Sequence, residues 1–473
     1  MSGHPFLDPE SQGRIHAAME AVKDLHGGAT AVVDTYGCQQ NEADSERMRG
    51  MLTAMGYTLT AEMDADVVVI NTCAIRENAE QRVYGNLGYL SHTKKKNPGQ
   101  KIILTGCMPG SEAIRARIRK SYRHVDALID APQFWRLPEV LLRLLTGEEK
   151  VYLDRAPPEG TIAEGLPVER LYSHKAWVSV MYGCNNFCTY CIVPHVRGRE
   201  RSRKHEDVLR EIAALAEAGC RDVTLLGQNV NSYGSDREGE LSFPELLAAA
   251  GEIPGEFRLR FMTSHPKDAG EALFSAMAET EKVAKQLHLP VQSGSDAVLA
   301  AMNRRYTAEH YLSLVEDARR KMPDITLTSD IIVGFPGETE ADFLKTLDLI
   351  RAVRYEALFT FVFSPRAGTP AAGLDDPVPR EEKMRWFDEL CRVQNGISAE
   401  KHAARVGETM RVLIDEVNTS GPYTLAGRTD GGRLVHMNGG ADLVGSYRKA
   451  TITGSSTWTL FGELCKSEEG QGK

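Results

Sequence analysis

The chain has 473 residues, too many for one average domain, so two or three are expected. With 42% hydrophobic and 26% charged residues it can bury ordinary cores, and no apolar run approaches the roughly eighteen residues of a membrane span. A net charge of −9 argues against a protein wrapped wholesale around nucleic acid, although local basic patches can still contact it.

The opening MSGHPFLDPE lacks both the apolar core of a secretory signal and the arginine-rich character of a transit peptide, which predicts a cytoplasmic protein. Nine cysteines, an odd number spread along the chain, do not form the pattern of a secreted disulfide framework, and reducing surroundings suit thiolate ligands.

Residues 29 to 146 alternate short apolar strands, ATAVVDT, DVVVIN, KIILT and DALI, with segments of helical spacing. This predicts an α/β unit, a parallel sheet covered by helices. Cys38 follows the first strand, Cys73 the second and Cys107 the third. In an open α/β sheet the carboxyl ends of successive strands lie side by side, so three cysteines far apart in sequence should converge. One such cysteine would be read as a small buried residue in a turn; three in register favour a metal site. The neighbouring Asn41, Glu42, Asn71 and Arg76 either cap helices or orient ligands, with capping the preferred role for most of them. Between 151 and 170, RAPPEGTIAEGLPVER is rich in Pro, Gly and acids without a clear period and reads as a linker.

From about 174 to 375 the alternation resumes with AWVSVMYG, DVTLLGQN, FRLRFMT, AKQLHLP, ITLTSDIIVGF and ALFTFVF. Six β/α units predict a barrel or partial (β/α)6 barrel, whose active site lies at the carboxyl ends of the strands. Cys184, Gln228, Ser264, His265, Gln292, Asp330 and Pro336 fall there. The first of these loops carries GCNNFCTYC, with Cys184, Cys188 and Cys191 spaced C-x3-C-x2-C. Three thiolates are one fewer than a closed four-iron cluster or a structural zinc site requires, so one metal position is left for a small molecule. The alternatives are buried apolar cysteines, or a zinc knuckle with His195 as fourth ligand, although zinc sites more often use C-x2-C pairs a dozen or more residues apart. Phe187 and Tyr190 suit a cluster loop shielded from water.

Among the polar strand-end residues, Gln228 and Asn229 could meet the amino-acid part of a cofactor or simply form a turn. Gln292 and Ser293 either recognise a hydroxyl or ribose or belong with Gly294 and Ser295 to a helix start. Ser329, Asp330 and the Gly/Pro turn of SDIIVGFPGET could close over an adenine.

A charged helical stretch from about 380 to 404 leads into short alternating strands between 405 and 466, including MRVLIDEV, RLVHMN and KATITGS. These predict a small five-stranded OB-like β-barrel, an architecture that often binds oligonucleotides. Its charge is nearly balanced. The stronger basic signal is VRGRERSRK, where Arg197, Arg199, Arg201, Arg203 and Lys204 crowd beside the second cysteine set and are candidates for phosphate contacts. Cys220, Cys391 and Cys465 have no partner at metal spacing and read as packing residues.

TYGCQQNEADSE, NTCAIRE, MYGCNNFCTYCIVPHVRGRERSR, LLGQNVNSYG, TSHP, HLPVQSGS and DIIVGFPGET together resemble the successive signatures of the methylthiotransferases, and the CNNFCTYCIVP and LLGQNVNSYG segments are most similar to the MiaB type. The resemblance runs from about 29 to 466 and implies three domains: a methylthiotransferase N-terminal domain over 29–150, a radical S-adenosylmethionine domain over 170–400 and a TRAM domain over 405–466. It implies conversion of N6-dimethylallyladenosine, next to the tRNA anticodon, to its 2-methylthio derivative.

By the same resemblance Cys184, Cys188 and Cys191 hold a [4Fe-4S] cluster that binds and cleaves S-adenosylmethionine. Cys38, Cys73 and Cys107 hold an auxiliary [4Fe-4S] cluster that carries the sulfur to be inserted. S-adenosylmethionine is then both methyl donor and radical source, with Gln228, Ser264, Gln292, Ser293 and Asp330 as candidates to bind it. No acid–base catalyst is expected, because an unactivated aromatic C–H bond offers no acidic proton. The implied partners are a tRNA anticodon stem-loop, an electron donor such as a flavodoxin or ferredoxin, and a sulfur source, with no membrane and a monomeric chain.

The competing readings are a sister methylthiotransferase acting on threonylcarbamoyladenosine in tRNA or on a ribosomal protein aspartate, and a non-enzymatic iron–sulfur RNA-binding protein. Electron carriers usually close their clusters with four cysteines. After Cys107 the chain reads MPGSE where the family more commonly starts a helix with Met-Ala, so Pro109 is expected to alter that turn. The extension up to about residue 28 and the tail after 466 lie outside the resemblance and are expected to be disordered.

Overall fold

The computed structural model describes residues 6–74 and 77–465, so Arg76 and the tail after 466 lie outside the described residues. The N-terminal unit is a six-stranded sheet of β1 (Thr30–Thr35), β2 (Thr58–Leu59), β3 (Val67–Thr72), β4 (Lys101–Gly106), β5 (Ala127–Leu128) and β6 (Val151–Tyr152), in the order β2-β1-β3-β4-β5-β6. Every neighbouring pair is parallel. Helices α1 (Pro9–His26), α2 (Gln39–Ala54), α3 (Glu77–Lys96), α4 (Glu112–Ser121) and α5 (Leu137–Leu145) accompany it. The run Val67 to Ile70 explains the layering. Val67 and Val69 pack in one core with Met48, Met51 and Leu52 of α2. Val68 and Ile70 pack in another with Val83, Leu87 and Leu90 of α3. A parallel strand buried on both faces is apolar without alternation, and β3 is such a strand.

Residues 9–26 of the extension before 29, expected to be disordered, instead form α1. Asp8 caps it by accepting from the Ser11 N–H at 2.8 Å, and Pro9 opens it. Ile15, Met19 and Val22, spaced to form one helical face, are buried in the same core as Leu137, Val140 and Leu141 of α5. Nor is the segment from 151 to 170 a free linker. Ile162 bridges Phe6, the Glu169 N–H donates to the Glu46 carbonyl at 2.9 Å, and Glu164 and Arg170 join ion pairs described below. Glu164 and Arg170 have partners of opposite charge elsewhere in the chain, which composition cannot reveal.

The central unit sets six parallel strands around an open barrel. β7 (Lys175–Ser179), β10 (Asp222–Leu226) and β11 (Arg258–Phe261) form one half; β12 (Gln286–His288), β13 (Thr326–Val333) and β14 (Ala357–Val362) form the other. A parallel bridge between Leu259 and Val283 joins the halves. The short antiparallel pair β8 (Met181–Tyr182) and β9 (Arg201–Ser202) pinches the base of the loop that carries Cys184, Cys188 and Cys191. Within that loop lies α6 (Val193–Arg197), and α7 (His205–Glu217) follows.

The C-terminal unit is a closed barrel of β15 (Thr409–Val417), β16 (Leu425–Thr429), β17 (Leu434–Met437), β18 (Tyr447–Ser455) and β19 (Leu460–Leu464), in the order β15-β16-β17-β19-β18. Its turn after β16 closes the amino end of the central barrel. Arg258 Nη1 donates to the Thr429 carbonyl at 3.0 Å and pairs with Asp430 at 3.1 Å, and Arg260 Nη2 donates to the Thr429 carbonyl at 2.9 Å. Arg258 and Arg260 also hold Asp222, each at its Oδ2. The carboxyl ends of the strands, on the opposite side, are thereby left as the working end. Among the described residues no helix is long and apolar enough to cross a membrane.

Candidate metal centres and cofactor cleft

Parallel pairing of β1, β3 and β4 places Cys38, Cys73 and Cys107 at adjacent strand ends, and the thiols lie close enough to influence one another's ionisation. Asn41 and Asn71, both fully buried, organise this cluster. Asn41 Nδ2 donates to the Tyr36 and Thr72 carbonyls at 2.7 and 2.8 Å, just ahead of Cys38 and Cys73. Asn71 Nδ2 donates to the Asn41 carbonyl at 2.8 Å and to Ser45 Oγ at 2.9 Å. These two residues order the segments that carry Cys38 and Cys73 rather than cap a helix, correcting the preferred sequence expectation. Glu42 is half-buried, and burial followed by the nearby Glu46 raises its pKa. Pro109 lies in a 3-10 turn, Met108–Gly110, and leaves Cys107 in place. Gly110 is required there because a Cβ would come within 2.8 Å of Val196 on α6.

The second set is held by a turn that sequence reasoning missed, Met302 to Tyr306. Asn303 Nδ2 donates to the Phe187 carbonyl at 3.0 Å, and the Thr189 N–H donates to the Met302 carbonyl at 3.1 Å. Arg304, buried, donates from Nη1 to Cys188 Sγ at 3.4 Å and from Nη2 to the Pro290 carbonyl at 2.6 Å. Nothing in the cysteine spacing points to it; the only local signal is the polar MNRRY run after a helix, where Asn303 and Arg305 adopt positive φ of 58° and 49°. Burial pushes the Cys107 thiol up to about 11 and the Cys184 thiol up to about 12. A metal held by either thiol would have to displace its proton. No three Cys, His, Asp or Glu side chains among the described residues are arranged to share one ion, and His195 is exposed, its ring edge-on to Phe187 at 6.3 Å.

The regions that carry these features match known families. Residues 30–130 match an uncharacterized protein family, UPF0004, residues 178–350 the radical SAM superfamily, and residues 403–465 the TRAM domain. A tRNA-2-methylthio-N(6)-dimethylallyladenosine synthase of Carboxydothermus hydrogenoformans is 48% identical over 91% of this chain and 98% of its own. The enzyme of the same name from Acetivibrio thermocellus is 43% identical over 98% of both. The chain belongs to this synthase family. Among solved structures, the radical S-adenosylmethionine methyltransferase TsrM of Kitasatospora setae aligns with a TM-score of 0.53 at 13% identity, over 73% of this chain and 75% of that one. At that identity the likeness concerns the fold alone.

At the carboxyl ends of the central strands several buried polar atoms have no protein partner: Asn229 Oδ1, Ser264 Oγ, His265 Nε2, Gln292 Oε1 and Glu338 Oε1. Unpaired buried polar atoms are costly, and this set of donors and acceptors suits the amino, carboxylate and ribose groups of S-adenosylmethionine. Gln292 reaches its place through a positive φ of 74°. Burial, then Arg304, drives the His265 pKa down to about 2, so its imidazole is neutral; Nδ1 accepts from the Lys267 N–H at 3.2 Å, which puts the ring proton on Nε2. Burial raises the Glu338 pKa to about 7. Asp330 is half-buried, 3.4 Å from His288.

Two of the cofactor candidates are occupied by the protein itself. Ser293 Oγ lies 3.3 Å from Thr346 Oγ1 and accepts from the Ser295 N–H at 3.2 Å, so it belongs to the turn. Gln228 accepts from the Gly183 N–H and donates to Gln40 Oε1 at 3.3 Å, tying the central unit to α2.

The basic run is likewise corrected. Arg197, Arg201 and Arg203 are only 3–4% exposed and cannot meet a phosphate backbone from there. Arg197 pairs with Asp44 at 3.0 Å, Arg201 donates to the carbonyls of Arg197 and Arg199, and Arg203 pairs with Glu164 and Glu211 at 2.6 and 2.7 Å. Arg199 and Lys204 are exposed.

Proposed function

We propose that this chain is a tRNA methylthiotransferase that places a sulfur and a methyl group on C2 of N6-dimethylallyladenosine next to the anticodon. The observation that carries the reading is the presence of two three-cysteine sets at the strand ends of two α/β units, in a chain whose relatives bear that enzyme's name. Cys184, Cys188 and Cys191 would hold one [4Fe-4S] cluster, and Cys38, Cys73 and Cys107 a second. When bound, the clusters and S-adenosylmethionine supply the electron, the carbon radical, the sulfur and the methyl group, chemistry that side chains cannot bring to an aromatic C–H bond.

The chain's own residues bind, orient and exclude water. Asn229, Ser264, His265 and Gln292 would hold S-adenosylmethionine through their unpaired atoms, with Asp330 beside them. The neutral His265 donates from Nε2 and takes no part as a base. For the RNA, Arg199 and Lys204 remain the phosphate candidates from the basic run. The C-terminal barrel adds the near-parallel rings of Tyr423, His436 and Phe461, with centroids 5.1 to 6.4 Å apart. Aromatic platforms on such barrels stack bases, and stacking offsets the few kcal/mol needed to splay the target base out of its loop. An electron donor such as a flavodoxin or ferredoxin and a sulfur source complete the reaction.

The test is nucleoside mass spectrometry after anaerobic incubation of the reconstituted protein with reductant, sulfide, S-adenosylmethionine and tRNA bearing dimethylallyladenosine. The methylthio nucleoside is the expected product. Deoxyadenosine without it keeps the radical enzyme and moves the substrate to threonylcarbamoyladenosine or a ribosomal protein aspartate; neither product overturns the reading.

A second expectation concerns Gly183, which opens the cluster loop with φ +75°. A Cβ there would sit 1.9 Å from the Arg199 carbonyl oxygen. Gly183→Ala must spread the β8–β9 pinch, and strain of 1–3 kcal/mol predicts at least about fivefold less deoxyadenosine, with unchanged circular dichroism. A rate equal to that of the parent would show that the pinch does not position the loop.

A further inference from the structure

One side chain connects the first cysteine set to the loop of the second. Arg197 ends α6, the helix that follows Cys191, and only 4% of it is exposed. Its Nε donates to Cys107 Sγ at 3.3 Å; its Nη2 donates to Asn41 Oδ1 at 2.7 Å and to Asp44 Oδ2 at 3.0 Å. Asn41 in turn holds the carbonyls of Tyr36 and Thr72 and lies 3.7 Å from Cys38 Sγ. A single guanidinium therefore reaches all three ligand segments of the first set, Cys107 directly and the other two through Asn41. Around it, Ile192 and Val196 of the second loop share an apolar cluster with Cys107, Ala74 and Ala131.

A structural ion pair with Asp44 would account for the Nη2 contact but not for the Nε–H aimed at sulfur. Hydrogen bonds to ligand sulfurs and nearby positive charge stabilise the additional negative charge of a reduced cluster, and so raise its potential. Lysine keeps the charge, but its compact ammonium lacks the planar fork that lets Arg197 face sulfur and Asn41 at once.

We propose that Arg197 is a positioning residue of the cluster held by Cys38, Cys73 and Cys107: its Nε–H bond to Cys107 raises that cluster's reduction potential, and its contact with Asn41 fixes the cluster relative to the loop bearing Cys184, Cys188 and Cys191. This rests on the reading that the first set holds a four-iron cluster.

The experiment uses the full chain with Cys184, Cys188 and Cys191 all changed to Ala, so that only the first set binds iron. Iron per chain and the midpoint potential, followed by electron paramagnetic resonance in a redox titration, are compared for Arg197 and two replacements. The first is Arg197→Lys. The second is Arg197→Met with Asp44→Asn, which removes both charges together and leaves no buried carboxylate unpaired. Both should bring the potential to more negative values, the double replacement further. Loss of iron from the folded double replacement but not from Arg197→Lys also meets the expectation, since a cation at this position is then needed to hold the set. An unchanged potential at full iron content in Arg197→Lys and in the double replacement overturns the proposal; if the double replacement misfolds, Arg197→Lys decides alone. A parent of this series that binds no iron overturns the two-cluster reading instead, and the two failures are thereby distinguishable.

Discussion

Cys184→Ala should yield neither deoxyadenosine nor methylthio product, whereas Cys73→Ala should go on cleaving S-adenosylmethionine and fail only at sulfur insertion. The two residues sit in different cysteine sets, one in the loop pinched by β8 and β9, the other at the end of β3. Cys184 is one of only three thiols in its loop, so its removal leaves two ligands, too few to retain a cubane. Cys73 is equally indispensable to the first set, whereas Arg304 and Asn303 hold the second loop, at Cys188 and Phe187. Each replacement should leave about four irons per chain in place of about eight. Product analysis by mass spectrometry and iron assay on the same samples checks this; deoxyadenosine formed by Cys184→Ala at the parent rate would refute the division of labour.

Arg203→Met should be the most damaging replacement outside the cysteine sets. Arg203 grips Glu164 with two bonds of 2.6 and 2.8 Å, and donates to the Ser179 carbonyl and to Glu211 Oε2, both at 2.7 Å. Glu211 also pairs with Arg170 at 2.6 Å, and Arg170 with Glu46 of α2 at 2.8 Å. The network thus joins the N-terminal unit, the 151–170 segment and the central barrel. Removing one member of a buried charge network leaves the others unpaired, at a cost of about 3–5 kcal/mol. The measurement is the urea midpoint of the first unfolding transition; a loss below about 1 kcal/mol would mean that water replaces the guanidinium.

The same network sets a pH dependence. Burial alone would raise the Glu211 pKa, but Arg203, Arg47 and Arg170 hold it down at about 2, against an ordinary value of 4.5. A carboxylate depressed on folding adds stability that is complete above its unfolded value and is lost as pH falls toward the folded one. The urea midpoint should therefore drop between pH 4.5 and about 2. Arg203→Met should flatten that drop, because the carboxylate has lost its principal counter-charge.

Much of the architecture was legible along the chain. VVVIN and KIILT read as strands because a strand covered on both faces must be apolar throughout, and the cysteines that follow them converge because parallel strands end together. The α1 helix was missed although Ile15, Met19 and Val22 carried its period; the resemblance began after it, and a single apolar face has no meaning until α5 supplies the surface to cover it.

The arginine run shows where a sequence falls silent. RGRERSR looks the same whether its guanidinium groups face solvent or carboxylates, and the partners that decide the matter, Asp44, Glu164 and Glu211, lie elsewhere in the chain. Arg304 and the unpaired atoms of Ser264 and Gln292 belong to the same class. The sequence by itself determined the strand and helix alternation, the two sets of three thiols and the order of the units, since these depend on local periodicity and on what a residue can ligate. Only the tertiary structure decided which charges are buried, which polar atoms are left to a ligand and which arginine touches which sulfur, because the energy of a buried charge or hydrogen bond is set by partners that chain folding brings together from distant positions.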